Sequence, residues 1–172
     1  MGELVFVLGG ARSGKSRFAR DRAKALGRDN VTFVATALPG DPELDARIAA
    51  HRRDRPSAWD TIEPGDDLAG TLRSVAPAQV VLLDSLTLWA SSCVERRVDI
   101  AAAWREISDV IDRRERATVV VSDEVGLGTV PMSDVARAFR DDLGWVHQRV
   151  SAQASLVVYV VAGLPLALKG TL

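Results

Sequence analysis

Short runs of apolar, mostly β-branched residues alternate along the chain with longer stretches whose apolar residues recur every three or four positions. The runs at 4–8, 31–35, 80–83, 118–121 and 156–161 are apolar at nearly every position. Unbroken apolarity of this length is the mark of strands covered on both faces, as in a parallel sheet. Between the runs, helical periodicity predicts helices over about 15–26, 42–54, 66–74, 86–95, 99–114 and 133–153. Two starts are well marked. Asp41 followed by Pro42 offers a cap and a proline at the first helical position, and Ser133 caps the last long helix. Strands alternating with helices imply βαβ crossovers and a three-layer α/β domain with a mostly parallel central sheet. Ligands of such sheets sit beyond the carboxyl ends of the strands.

The 172 residues fit one domain, 1–172, long enough to bury a proper core. With 22 basic and 23 acidic residues the net charge is −1, which gives no bulk attraction to nucleic acid or anionic membrane. Cys93 is the single cysteine, so no intrachain disulfide forms. No apolar run reaches the roughly 20 residues of a membrane span, and no signal peptide is apparent, so a cytoplasmic location is expected. Internal repeats and low-complexity segments are absent from the sequence.

Only three basic residues are lysines, and one of them, Lys15, lies in a glycine-rich turn directly after the first strand. The octet Gly9-Gly10-Ala11-Arg12-Ser13-Gly14-Lys15-Ser16 fits G-x-x-x-x-G-K-[ST] in its strand–loop–helix setting. Glycines let the backbone curl so that successive N–H groups point at phosphate oxygens, and the new helix adds its positive end. Lys15 is placed to reach the β- and γ-phosphates, and the Ser16 hydroxyl to ligate Mg²⁺. These residues predict a P-loop nucleoside-triphosphate site. A further carboxylate at a neighbouring strand end is expected to hold the metal. Asp84 is favoured for that role, with Asp123 and Glu124 as competitors.

The kind of P-loop protein is narrowed by what surrounds the loop. The one asparagine, Asn30, precedes Val31, so the base-reading N-K-x-D motif of GTPases is absent from the sequence. On the predicted 42–54 helix, His51 is one of two histidines and is ringed in sequence by Arg47, Arg52, Arg53 and Arg55. Neighbouring cations keep an imidazole neutral and nucleophilic, and they neutralise a phosphoryl group under attack. That constellation suits a nucleotidyl-histidine intermediate. A monofunctional small-molecule kinase and a nucleotide-dependent switch or assembly ATPase remain as alternatives. Trp59, Trp89, Trp104 and Trp145 read as packing or subunit-contact residues, Arg113 to Arg116 as a solvated helix end, and Cys93 as buried and inert.

The chain resembles the bifunctional adenosylcobinamide kinase / adenosylcobinamide-phosphate guanylyltransferase family of cobalamin biosynthesis. The matching segments are the octet, Val34-Ala35-Thr36, Arg47-Ile48 with His51 and Arg55-Pro56, and 59–63. Further on come Leu82-Leu83-Asp84-Ser85-Leu86-Thr87, 123–131, 139–148 and 161–169. The resemblance implies a RecA-like P-loop fold and a guanylylated His51. It also implies a GTP site lined by the P-loop, Val34, Ala35, Thr36, Arg52, Arg53, Asp54, Arg55, Glu63 and Asp84. ATP or GTP would phosphorylate adenosylcobinamide, and GMP from GTP would then pass through His51 to adenosylcobinamide phosphate. The general base of the kinase step stays open between Asp123 and Glu124. The implied assembly is a homo-oligomer, a trimer in relatives. Two positions depart from the family pattern: His147 stands in place of asparagine, and Asp84 where some relatives carry glutamate.

Overall fold

The computed structural model describes residues 2–37 and 55–172. The helix expected at 42–54, its cap at Asp41 and Pro42, and His51, Arg52, Arg53 and Asp54 lie outside the described residues. Seven strands form one sheet: β1 (Leu4–Gly9), β2 (Val31–Ala35), β3 (Asp60–Ile62), β4 (Val80–Asp84), β5 (Thr118–Asp123), β6 (Leu156–Val161) and β7 (Leu164–Lys169). Their order is β3-β2-β4-β5-β1-β6-β7. Every pairing is parallel except that of β6 with β7.

The five central strands are those whose apolar runs are continuous, and the sheet buries both of their faces. Val5 and Val7 of β1 look toward α1 (Lys15–Gly27), sharing that core with Ala19, Ala23, Phe33, Leu82 and Val121. Leu4, Phe6 and Leu8 look the other way, into a core shared with helices α2 (Leu68–Ser74), α3 (Leu86–Glu95), α4 (Ile100–Asp112) and α5 (Asp134–Gln153). Each fully buried Leu, Val or Phe stabilises this sandwich by roughly 1.5–3 kcal/mol. The caps follow the sequence. Asp67, Ser85, Asp99 and Ser133 accept from the backbone N–H three residues on, and so satisfy one orphan donor each.

The tryptophans are mainly packing residues. Trp89 and Trp104 meet edge to face at 6.2 Å, and Trp59 donates its indole N–H to Arg28 O at 3.0 Å. Trp145 is half-buried beneath the Arg149 guanidinium. Cys93 is buried and reduced, and burial pushes its thiol pKa up.

Three features differ from the sequence expectation. β3 has only three residues, two of them exposed, too short to show a period. β7 continues beyond the predicted last strand through a two-residue turn, Ala162 and Gly163 at φ 51° and 80°, the twist that suits a tight hairpin. Pro165 obscures it in the sequence, but an edge strand tolerates proline because half its amides have no ladder partner to lose. The third is Arg114, which is not a solvated helix end. It is 6% exposed and donates to Leu72 O, Val75 O, Ala76 O and Gln79 O at 2.7–3.2 Å. Burial lowers its pKa. Arg113, Glu115 and Arg116 around it are exposed as expected.

Candidate nucleotide site

Because β1, β2, β4 and β5 run parallel, their carboxyl ends Gly9, Ala35, Asp84 and Asp123 open on one edge of the sheet. The phosphate loop leaves β1 there. Gly14 is the cap residue of α1, at φ 96°, a left-handed conformation that costs any residue with a β-carbon. It brings no capping side chain, and the first turn of α1 carries no acidic residue, so the helix end is open to an external anion. The hairpin turn braces this loop from behind. Gly163 N–H donates to Ser13 O at 2.8 Å, and a β-carbon on Gly14 would lie 3.3 Å from Gly163 Cα.

Lys15 lies back across the loop. Its ammonium group reaches Gly10 O at 3.3 Å and pairs with Asp123 Oδ1 at 2.5 Å. The strand beside β1 is β5, in register Gly9 with Asp123, whereas β4 lies one strand further out. The expectation of Asp84 on a neighbouring strand is therefore corrected: the carboxylate adjacent to the loop is Asp123. Asp84 closes β4 opposite Ala35 and remains at the same edge of the sheet. Glu124 donates its N–H to Gly9 O at 3.1 Å, and its carboxylate accepts from Gly126 N–H. Both acids that competed with Asp84 are thus tied to the loop.

Beneath Asp123, on the opposite face of the sheet, lies a short run of hydrogen bonds. Asp123 N–H donates to Thr87 Oγ1 at 2.7 Å, Thr87 Oγ1 and Ser122 Oγ are 3.0 Å apart, and Ser122 Oγ lies 2.8 Å from His147 Nε2. The His147 ring tilts against Phe6 at 5.5 Å. Burial lowers its pKa to about 4 against the opposing pull of Glu124 and Asp123, so the imidazole is neutral near pH 7.

Residues 5–168 match the family model "Cobinamide kinase / cobinamide phosphate guanyltransferase". The chain belongs to this family. Its relatives include the bifunctional adenosylcobalamin biosynthesis protein CobP of Pseudomonas aeruginosa, 41% identical over 95% of this chain and 96% of that protein. Another is the corresponding CobU of Escherichia coli, 35% identical over 96% of this chain and 99% of that protein. Solved structures at 15% and 14% identity show the fold alone. They are the flagellar accessory protein FlaH of Methanocaldococcus jannaschii and a KaiC-like protein of Pyrococcus horikoshii. Their TM-scores are 0.57 and 0.53, over 99% and 92% of this chain and 79% and 70% of theirs. The fold is that of RecA-like P-loop NTPases.

The residues expected to line the nucleotide site of a cobinamide kinase / guanylyltransferase fall into three groups. The octet 9–16 forms the loop just described. Val34, Ala35, Thr36, Glu63 and Asp84 come together at the ends of β2, β3 and β4, through the registers Val34 with Ile62 and Ala35 with Asp84. Within this group, Val34 and Ala35 bury their side chains in the two cores, so only their backbone can meet a ligand. The Thr36 hydroxyl is committed to the backbone of Ser85, donating to its O at 2.6 Å and accepting from its N–H at 2.8 Å. Glu63 is exposed. Arg55 lays its guanidinium on the Phe33 ring, 3.7 Å from the centroid. The third group, His51, Arg52, Arg53 and Asp54, lies outside the described residues. Sequence reasoning missed Thr87, Ser122 and Gly163 as neighbours of the loop. The only signal for Ser122 was its place immediately before Asp123.

Proposed function

We propose that this chain phosphorylates the hydroxyl of the aminopropanol arm of adenosylcobinamide and then guanylylates the product. The observation that carries the reading is Lys15, held at the mouth of a P-loop in a chain that matches the cobinamide family over nearly its whole length. In the kinase step the alcohol oxygen attacks the γ-phosphorus of ATP or GTP, and the bond to the bridging oxygen breaks to release the nucleoside diphosphate. Lys15 and the loop N–H groups balance the charge that gathers on the departing oxygens.

In the second reaction a nitrogen of His51 attacks the α-phosphorus of GTP, and pyrophosphate leaves. An oxygen of adenosylcobinamide phosphate then attacks the same phosphorus, the P–N bond breaks, and adenosylcobinamide-GDP forms. Lys15 and the loop hold the pyrophosphate portion, so one anion cradle serves both reactions. The donor set Ser16 hydroxyl plus Asp84 carboxylate is made of the hard oxygens Mg²⁺ takes alongside phosphates. Bound there, the ion would neutralise part of the phosphate charge. Arg52, Arg53, Arg55 and Glu63 are assigned to the GTP side of the site by the same reading.

Assembly into a homo-oligomer, a trimer as in relatives, belongs to this reading. It is supported by Leu164, Leu166 and Leu168 along one side of β7, each at least 58% exposed. Separating His51 from the rest tests the chemistry. With α-labelled GTP, the native chain takes up an acid-labile protein-bound label, and His51→Ala takes up none while still phosphorylating adenosylcobinamide. A folded His51→Ala that loses both activities, or an unlabelled native chain, sinks the two-step scheme and leaves a plain kinase.

A further inference from the structure

We propose that His147 is a positioning residue for phosphate transfer, acting through Ser122, Thr87 and Asp123 on Lys15. The proposal rests on the reading of Lys15 as the residue that meets the phosphates. Ser122 and Asp123 are consecutive on β5, so their side chains leave the sheet on opposite faces. Ser122 enters the face covered by α3 and α5, while Asp123 reaches the Lys15 ammonium on the face of α1. A shift of the β5 end that moves Ser122 therefore moves the carboxylate against Lys15.

What holds that strand end is the run of polar contacts. Thr87 Oγ1 accepts from Asp123 N–H, which leaves the Thr87 proton for Ser122 Oγ and the Ser122 proton for His147 Nε2. In this ordering the imidazole carries its proton on Nδ1, and both hydroxyls donate once and accept once. The contacts bring together α3, β5 and α5, three elements far apart in sequence. Phe6 of β1, the strand that leads into the loop, backs the ring at 5.5 Å. The neutral state that burial enforces leaves Nε2 free to accept. A histidine that served only to fill the core would have no need of a partner bonded to the backbone of the residue that pairs with Lys15.

The test compares His147→Ala, His147→Gln and Ser122→Ala in both half-reactions. Removing the imidazole leaves Ser122 Oγ without its acceptor and loosens the Asp123 N–H bond to Thr87. Misplacement of Lys15 should then lower phosphorylation and guanylyl transfer together by about tenfold, mainly in kcat. Ser122→Ala gives the same loss by breaking the run in the middle. His147→Gln, whose amide reaches as far as Nε2, restores both rates to within about twofold. Amide hydrogen exchange supplies a readout apart from activity: in His147→Ala the Asp123 amide exchanges faster while that of Val120, on the same strand, does not. A folded His147→Ala with native rates overturns the proposal. So does equal acceleration at Asp123 and Val120 with no rescue by glutamine, which marks plain destabilisation. Lys15→Ala run alongside isolates the underlying reading. If that variant keeps native rates, the phosphate assignment of Lys15 is what has failed.

Discussion

Arg114 and His147 sit at opposite ends of the same sheet, and each places a nitrogen-bearing side chain where most neighbours are apolar. At the amino end, Arg114 follows α4 and gathers four backbone carbonyls from the segment between α2 and β4. All of its partners are main chain, and the result is a fixed connection between two loops. At the carboxyl end, His147 meets a hydroxyl, that hydroxyl meets another, and the second holds the backbone of Asp123. Both groups answer the same demand, since an unpaired buried polar atom is costly. They differ in what lies at the end of their contacts. Behind Arg114 there is only structure, whereas behind His147 there is a carboxylate paired with the phosphate-loop lysine. Stability and activity should therefore separate along the strand axis.

The largest effect that would break this division is expected at Lys15. Lys15→Ala should lower kcat/KM of both half-reactions by about 100- to 1,000-fold, as loss of a charge-stabilising donor does. Its thermal midpoint should stay within a few degrees of native, because the Lys15–Asp123 pair is partly exposed and such pairs contribute about 1 kcal/mol or less. Steady-state kinetics beside a thermal melt decide the point. A fall in melting temperature as large as that of a core variant would make the lysine structural.

Arg114→Met is the opposite case. Methionine keeps much of the volume but abandons four carbonyls, at a cost on the order of 3 kcal/mol. That corresponds to a midpoint lowered by about 10 °C for a domain of this size. The folded fraction should keep kcat/KM within about twofold, since no contact of Arg114 leads to the loop. A large kinetic defect at a temperature where the variant is fully folded would show the two ends to be coupled.

The same contrast explains what the sequence made legible. The five central strands could be read because parallel strands buried on both faces need apolar residues at consecutive positions, as in Val119, Val120 and Val121. The phosphate loop could be read because its conformation demands particular residues at fixed spacing. Arg114 could not, because a local window shows only a polar run at a helix end. What makes it a buried tie is a loop 35 to 42 residues earlier in the chain. The choice between Asp84 and Asp123 as the acid beside the loop depends on which strand lies next to β1, a property of strand order. Ser122, Thr87 and His147 were hidden for the same reason. Each is unremarkable alone, and their meeting depends on α3 and α5 covering one face of β5. β7 stayed hidden behind a proline and an alternation facing solvent.

The smallest effect concerns pH, and it sharpens the comparison because only one of the two groups titrates in an accessible range. His147 in the folded chain has its pKa lowered to about 4 from an ordinary 6.5, chiefly by burial, with Glu124 and Asp123 pulling the other way. Unfolded, the same ring takes up its proton near pH 6.5, so between the two values the unfolded chain binds more protons. Stability is then fully present above about pH 6.5 and declines as the pH falls toward 4. From pH 7 to pH 5 this one group should remove on the order of 2 kcal/mol. Denaturant melts of the native chain and His147→Gln at both pH values give the difference directly, since the amide has no proton to gain. Carboxylates common to both proteins cancel in the comparison. The native chain should lose about 2 kcal/mol more than the glutamine variant over that interval. Equal losses would mean that the imidazole is as easily protonated in the fold as in water, and that it cannot be the fixed acceptor on which Ser122 rests.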